Sequence, residues 1–281
     1  MRADRLDSPI QLNAATRVLF FAPHPDDESL AAGGLLQRAA AAHATVHVVF
    51  ATNGENNPWP LRVVGKQWRI SARDRQLWGE RRMQEARDAL DVLRIDGSAA
   101  RFLGLPDQHI TDLLLREPER LIHQIREVLR ELQPTLLLAP APFDLHPDHN
   151  AFNVLVQFAL AAEEFRNIER LSYAVHTHGY HANCEPVALP LTPLEQRVKR
   201  LAILRHRTQM ALSRRRFMAH VTHRELFWRA VAPPRETDVR HPVRAARSDA
   251  GGITVELERG KRAGSFARCM LCLAVEDAHG G

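Results

Sequence analysis

Cysteine is scarce. The 281 residues contain three, Cys184, Cys269 and Cys272, too few for the disulfide framework of a small secreted domain. Cys269 and Cys272 spell C-x-x-C, but no second pair exists to complete a four-thiolate zinc site. Their apolar setting, residues 266–275, reads as a strand with two buried core cysteines. Long hydrophobic runs are also missing. Stretches such as residues 136–141 are far too short to span a bilayer, so no integral membrane segment is expected. Residues 1–13 carry charges and no apolar h-region, so no signal peptide is expected and the cytoplasm is the default location. Repeats and low-complexity tracts are absent. No nucleic-acid-binding motif or interleaved aromatic platform accompanies the basic residues, so nucleic acid is not an expected partner.

The rest is ordinary for a globular protein: 45% hydrophobic and 25% charged residues. The formal net charge is +5, and basic residues crowd residues 197–216, ending in Arg214-Arg215-Arg216, and residues 235–247. These stretches read either as a solvated helix face with a basic tail or as a surface that attracts an anionic substrate. The fifteen histidines are scattered rather than gathered at one end.

Hydrophobic periodicity predicts strands at 16–22, 45–51, 99–103, 135–139 and 168–176. It predicts helices at 29–42, 75–93, 117–132, 147–162 and 193–207. Residues 53–73, with Pro58, Pro60 and Gly65, read as a long polar loop. Trp59 and Trp68 in that loop either stack on a ligand or pack the loop down. Alternating strands and helices imply an α/β fold with a parallel, doubly wound sheet. Such sheets bind ligands beyond the carboxyl ends of their strands. The expected organisation is one main domain, residues 14–232, followed by a C-terminal extension, 233–281. In the extension, residues 253–258 and 266–275 read as a β-hairpin. A lone hairpin is marginal in water, so it should dock on the main domain or on another subunit; self-association is left open.

Two segments carry the chemistry. Pro23-His24-Pro25-Asp26-Asp27-Glu28 directly follows the first predicted strand, and Asp144-Leu145-His146-Pro147-Asp148-His149 directly follows the fourth. Each alone is weak: the first could be a turn with a helix cap. Both at equivalent ends of two strands in one sheet are much more specific. A catalytic zinc takes three His or carboxylate ligands and leaves a position for water. A separate carboxylate must then take a proton, and a donor must steady the oxyanion. The two segments hold enough groups for every role.

The first segment resembles the P-H-P-D-D-E signature of the LmbE-like, or PIG-L-like, N-deacetylases, and the second resembles their H-x-D-H signature. The resemblance covers roughly residues 16–230 and has smaller echoes. These are Thr52-Asn53-Gly54-Glu55, Arg82-x-x-Glu85, Leu103-Gly104-Leu105-Pro106-Asp107, and a later Lys…His-x-x-Gln helix within residues 199–209. It implies a Rossmann-like sheet flanked by helices and a zinc-dependent enzyme that removes an N-acyl group, expected to be acetyl, from an amino sugar or glycoconjugate. By position, His24, Asp27 and His149 would bind the metal, and Asp26 would be the general base. His146 would steady the oxyanion or help protonate the leaving amine. Asp148 would orient an imidazole. Arg82, Asp107, Asn53 and Glu55 would lie on the substrate side, although Arg82 has Glu80 and Glu85 as alternative partners on its own helix. One zinc per chain is expected, with other divalent ions acceptable to the same ligands. The competing readings are a non-catalytic carbohydrate- or nucleotide-binding Rossmann-like module, for which Asp26 would be superfluous, and a two-metal phosphoesterase, which would want more carboxylates.

Overall fold

The protein is described by a computed structural model over residues 10–66, 68–176, 186–229, 243–249 and 252–257. The segment RVLFFA forms β1 (Arg17–Ala22) and is buried on both faces. Val18, Phe20 and Ala22 pack to one side, Leu19 and Phe21 to the other. A continuous apolar run of this kind belongs inside a parallel sheet covered on both faces. β2 (Thr45–Thr52) and β4 (Leu136–Pro140) flank β1 in parallel. β3 (Ala100–Leu105) continues beyond β2, and β5 (Glu169–Tyr173) beyond β4. All five strands match the sequence-based expectation, with ends shifted by a few residues. Strand order is β3-β2-β1-β4-β5, so the winding reverses between β1 and β4. That reversal opens a crevice at the carboxyl ends of these two strands.

Helices cover both faces. α1 (Asp27–Ala41), α3 (Ala72–Val92) and α7 (Pro193–Ile203) close the Phe20 side. α4 (Ile110–Arg116), α5 (Pro118–Leu132) and α6 (Pro147–Leu160) close the Phe21 side. α5 buries a stripe of Leu121, Ile125, Val128 and Leu129, the spacing of one helix face. It ends where Gln133 turns left-handed (φ 44°) ahead of Pro134.

Several elements depart from expectation. The supposed polar loop 53–73 contains a helix, α2 (Pro58–Gly65). Pro58 opens it and Pro60 lies in its first turn, where a missing N–H costs nothing. Trp59 and Trp68 are 60% and 79% exposed, so neither packs the segment down. The helix predicted to run to residue 207 stops at Ile203, and α8 (Arg207–Met218) follows. Two unforeseen strands extend the sheet: β7 (Arg224–Arg229) pairs antiparallel with β5, and β6 (Pro186–Pro190) antiparallel with β7. In the C-terminal extension β9 (Gly252–Leu257) pairs antiparallel with the upstream β8 (Val243–Asp249). Residues 266–275, the expected partner of residues 253–258, lie outside the described residues, as do the three cysteines. Among the described residues no helix is long and apolar enough to cross a membrane.

Candidate active site

The chain leaves β1 through Pro23 and enters α1 at Asp27, so His24 to Glu28 sit at the crevice. The turn is tight. Asp26 has φ 142° and ψ −25°, a left-handed backbone that costs a non-glycine residue about 1–3 kcal/mol and clusters at functional sites. Asp27 Oδ2 accepts the backbone N–H of His24 (2.9 Å), and Glu28 Oε2 accepts that of Asp26 (3.0 Å). Asp27 and Glu28 also lie in the first turn of α1, where the helix dipole favours negative charge.

The second segment follows β4 and is organised by Asp144. Its carboxylate accepts four N–H groups: His149 Nδ1 (3.0 Å) and the backbone of His146 (3.0 Å), Val175 (2.8 Å) and His176 (3.2 Å). His146 caps α6, its Nδ1 accepting from the Asp148 backbone N–H at 3.2 Å. Asp148 accepts the backbone N–H groups of Gln108 (2.8 Å) and Ile110 (3.2 Å), which binds this segment to the loop after β3. The imidazole within reach of Asp148 is that of His24, whose Nε2 lies 3.2 Å from Asp148 Oδ2.

The two segments meet. Asp27 Oδ2 lies 3.6 Å from His24 Nδ1 and 3.3 Å from His149 Nε2. His149 Nε2 is buried and makes no hydrogen bond. Three overlapping sets of residues bring potential ligand atoms within 4.8 Å of one another: His24, His146 and His149; Asp27, His149 and His176; His24, Asp107 and Asp148. The expected metal residues His24, Asp27 and His149 are distributed over these sets. Burial opposes charge on His24 and His149, but neighbouring carboxylates outweigh it. Asp107, Asp148 and Asp27 raise His24 well above the ordinary histidine value, and Asp27 with Asp144 raises His149 to about 9. Burial likewise pushes Asp27 up, yet His149 and His24 hold it well below the usual carboxylate range. A buried cluster of imidazoles and carboxylates with an unengaged ring nitrogen is chemically suited to a divalent cation.

Asp26 stands apart from this cluster. Its Oδ2 accepts from Arg82 Nη2 (3.0 Å), and Arg82 also donates to the carbonyls of Pro25 and Gly54, each at 2.8 Å. The alternative partners of Arg82 are thereby corrected: it pairs with Asp26, while the neighbouring Arg81 approaches Glu85 at 3.6 Å. Burial lifts the Asp26 carboxyl to about 6, against the opposing charge of Arg82. Gly54 makes the pairing sterically feasible. Its φ is +67°, and a Cβ there would lie 2.0 Å from Arg82 Nη1.

Asp107 is 3% exposed. Its Oδ1 lies 3.3 Å from His24 Nε2, its Oδ2 accepts from the Asn56 backbone (2.8 Å), and its own N–H donates to Glu55 Oε1 (2.9 Å). Burial pushes Asp107 up, but the hydrogen bond and charge of His24 hold it at about 2. Asn53 and Glu55 lie over Gly79 of α3, and Asn53 Oδ1 and Glu55 Oε2 are buried without hydrogen-bond partners.

Three contributors escaped the sequence reading. Asp144 stood inside the quoted segment without a role. His176 closed a predicted strand, and its ring lies 5.0 Å from that of His149. Glu28 reaches His206 Nε2 (3.0 Å); the helix echo carrying His206 was the available signal. In the other echo, Glu85 accepts the backbone N–H and hydroxyl of Thr208, opening α8.

Comparisons with known proteins place both segments in a family. The family model described as PIG-L, GlcNAc-PI de-N-acetylase, matches residues 19–160, half of the chain, including both segments. The chain is 32% identical over 165 residues to a 1D-myo-inositol 2-acetamido-2-deoxy-alpha-D-glucopyranoside deacetylase of Mycobacterium sp. (strain KMS), covering 53% of this chain and 51% of the relative. It is 27% identical over 240 residues to a putative glucosamine-6-phosphate deaminase-like protein of Bacteroides thetaiotaomicron, covering 69% of this chain and 36% of the relative. The chain thus spans between about a third and a half of these curated relatives. Among solved structures, a triple mutant of a deacetylase of the teicoplanin biosynthetic pathway superposes with a TM-score of 0.60 at 22% identity, over 76% of this chain and 97% of that one. This last likeness shows the fold. By its family match, the chain belongs to the PIG-L family, GlcNAc-PI de-N-acetylases.

Proposed function

We propose that the protein is a divalent-metal-dependent N-deacetylase acting on an N-acetylated amino sugar or glycoconjugate. The observation that carries this reading is the division of labour at the crevice: His149 Nε2 is buried and unengaged beside Asp27, while Asp26 is held separately by Arg82. A binding module needs no such second carboxylate. His24, Asp27 and His149 would hold the ion. Two imidazoles and a carboxylate suit Zn2+ and also accept iron, cobalt or manganese. When bound, the ion supplies Lewis-acid polarisation of the amide carbonyl and a lowered pKa for the attacking water.

The remaining steps belong to this chain's own groups. Arg82 occupies Asp26 Oδ2, which leaves Oδ1 to take a proton from the water that attacks the carbonyl carbon. A base near 6 is mostly ionised at neutral pH yet basic enough to act. The carbonyl oxygen becomes an oxyanion. His146 faces it as an Nε2–H donor, because its Nδ1 is already accepting from Asp148 N–H. The C–N bond then breaks and the proton held by Asp26 passes to the nitrogen; the acetic acid formed gives its proton to the amine, so acetate and an ammonium leave. Asp148 and Asp107 hold the His24 ring. Asn53 and Glu55, with unfilled buried oxygens beside this loop, are the groups we assign to substrate hydroxyls.

The relatives' names support an N-acetyl amino sugar as substrate. The test is acetate release from a panel of N-acetylated amino sugars, free, phosphate-bearing and lipid-linked. Release from at least one, abolished in Asp26→Asn, is expected. No release from any of them by zinc-loaded protein would overturn the reading.

A further inference from the structure

We propose that His176 is a second N–H donor of this site, a catalytic residue beside His146, and that Arg216 fixes it in that role. Arg216 Nη2 lies 2.6 Å from His176 Nδ1. A guanidinium has donors only and keeps its proton, so Nδ1 must be the acceptor and the ring proton sits on Nε2. His146 is set in the same tautomer by a different group, its Nδ1 accepting from the Asp148 backbone. His149 is oriented the other way: its Nδ1–H points at Asp144, and its Nε2 faces Asp27 Oδ2 at 3.3 Å. The rings of His146 and His176 lie 5.2 Å apart, and each lies against His149, at 5.2 and 5.0 Å. Once a cation displaces the His149 Nε2 proton, the three adjacent imidazoles form one lone-pair donor flanked by two N–H donors.

Proximity alone would make His176 a metal ligand, since one of its ring nitrogens lies within 4.8 Å of Asp27 and His149 ligand atoms. Its tautomer argues otherwise, because a nitrogen that carries a proton has no lone pair for a cation. The backbone ties His176 to the same segment as His146. His176 N–H donates to Asp144 Oδ2 (3.2 Å), and its carbonyl accepts from Leu145 N–H (2.9 Å). Arg216 lies in α8, within the basic stretch of the sequence, so one arginine of that run serves as a positioning residue at the crevice.

Two N–H donors on one side of a small site suit an oxygen that gains negative charge: the amide oxygen during attack, and a carboxylate oxygen of the acetate product. That identification rests on the deacetylase reading; the tautomer assignment does not. The experiment is long-range 1H–15N correlation NMR of histidine-labelled protein, zinc-free and zinc-loaded, with acetate titration of the loaded form. His176 is expected to show the neutral Nε2–H pattern in both forms, and Arg216→Met to disturb it with bound zinc unchanged. His176→Ala should weaken acetate binding about tenfold, the worth of one hydrogen bond, and lower kcat by about a hundredfold. His176→Asn, which keeps an N–H donor, should recover part of both. A His176 nitrogen that shifts to a metal-bound value on zinc loading would overturn the proposal, as would unchanged acetate affinity in His176→Ala. Should no substrate release acetate while the tautomer and acetate results hold, the deacetylase reading fails and the donor assignment stands.

Discussion

Two buried charged regions lie within a few residues of each other, and they are built on opposite principles. Behind α1, charge is matched. Lys199 Nζ donates to Glu225 Oε1 (2.7 Å), and Glu225 also accepts the N–H groups of Gly34 (2.7 Å) and Leu35 (2.9 Å). Those N–H groups are free because α1 breaks at Ala32 (φ −133°). Glu225 therefore caps the second half of a kinked helix, and Lys199 neutralises it. Gly33 and Gly34 leave the room this needs: a Cβ would lie 2.9 Å from Lys199 Cγ at the first and 2.3 Å from Leu191 Cδ2 at the second. In front of α1, at the crevice, a ring nitrogen is unengaged, Asp26 is strained, and carboxylates crowd together. The first region uses buried charge to fix backbone. The second holds charge ready for something else, and the strain at Asp26 is sustained by the scaffold behind it.

The sharpest way to separate the regions is to change one residue in each. Asp26→Asn should lower kcat by roughly two to four orders of magnitude, the scale of a general base, with bound zinc and unfolding midpoint nearly unchanged. Loss of the metal in this variant, with retention in Asp27→Asn, would exchange the two roles. Lys199→Met should act the other way. It leaves Glu225 buried without its cation, a change that costs about 3–5 kcal/mol, so urea unfolding should move to much lower denaturant. Folded protein should still bind zinc. Equal stability of Lys199→Met and the unaltered chain would show that the rear charges are not matched as described.

Much of this contrast was legible in the sequence, and the reason is local. β1, β2 and β4 are short apolar runs ended by prolines or turn residues, and the two His/Asp segments follow β1 and β4 directly. Their meeting needed only the rule that parallel strands present ligands at their carboxyl ends. What was hidden depends on partners distant in sequence. β6 and β7 are brief and gain their strand character from pairing with each other and with β5. α2 was masked by prolines that lie in its first turn. β8 reads RAARSD after its valine, without apolar alternation, so it carries no strand signal of its own and gains one by pairing with β9. Asp144 looks like a turn aspartate until the four N–H groups it accepts are seen together. Arg82 could not be matched to Asp26 across 56 positions by helix spacing alone.

A subtler break tests how the crevice tunes its base. Arg82 opposes the rise that burial imposes on Asp26. Arg82→Leu removes that charge, so the Asp26 pKa should climb further above its ordinary value. A base works deprotonated, so the acid limb of the kcat/KM profile should move to higher pH. An unmoved limb would mean that Asp26 is not the group titrating there. Gly54→Ala should shift the limb in the same direction but less, since its Cβ would crowd Arg82 away from Asp26.

The smallest expected effect concerns protons and the cation. Burial lowers His149, but Asp27 and Asp144 raise it to about 9, so without an ion this ring is protonated at neutral pH. A cation must displace that proton. Zinc affinity should therefore increase with pH up to about 9, and binding near neutrality should release protons, measurable by calorimetry in buffers of different ionisation heat. Affinity independent of pH would contradict a ligand role for His149.

The most direct measurement is acetate release by protein stripped of metal and then titrated with zinc, on whichever N-acetylated amino sugar is the best substrate. Chelation should abolish turnover, and one equivalent of zinc per chain should restore it, with His149→Ala failing to recover at the same concentration. Full turnover by rigorously metal-free protein would contradict a metal-dependent deacetylase at this crevice.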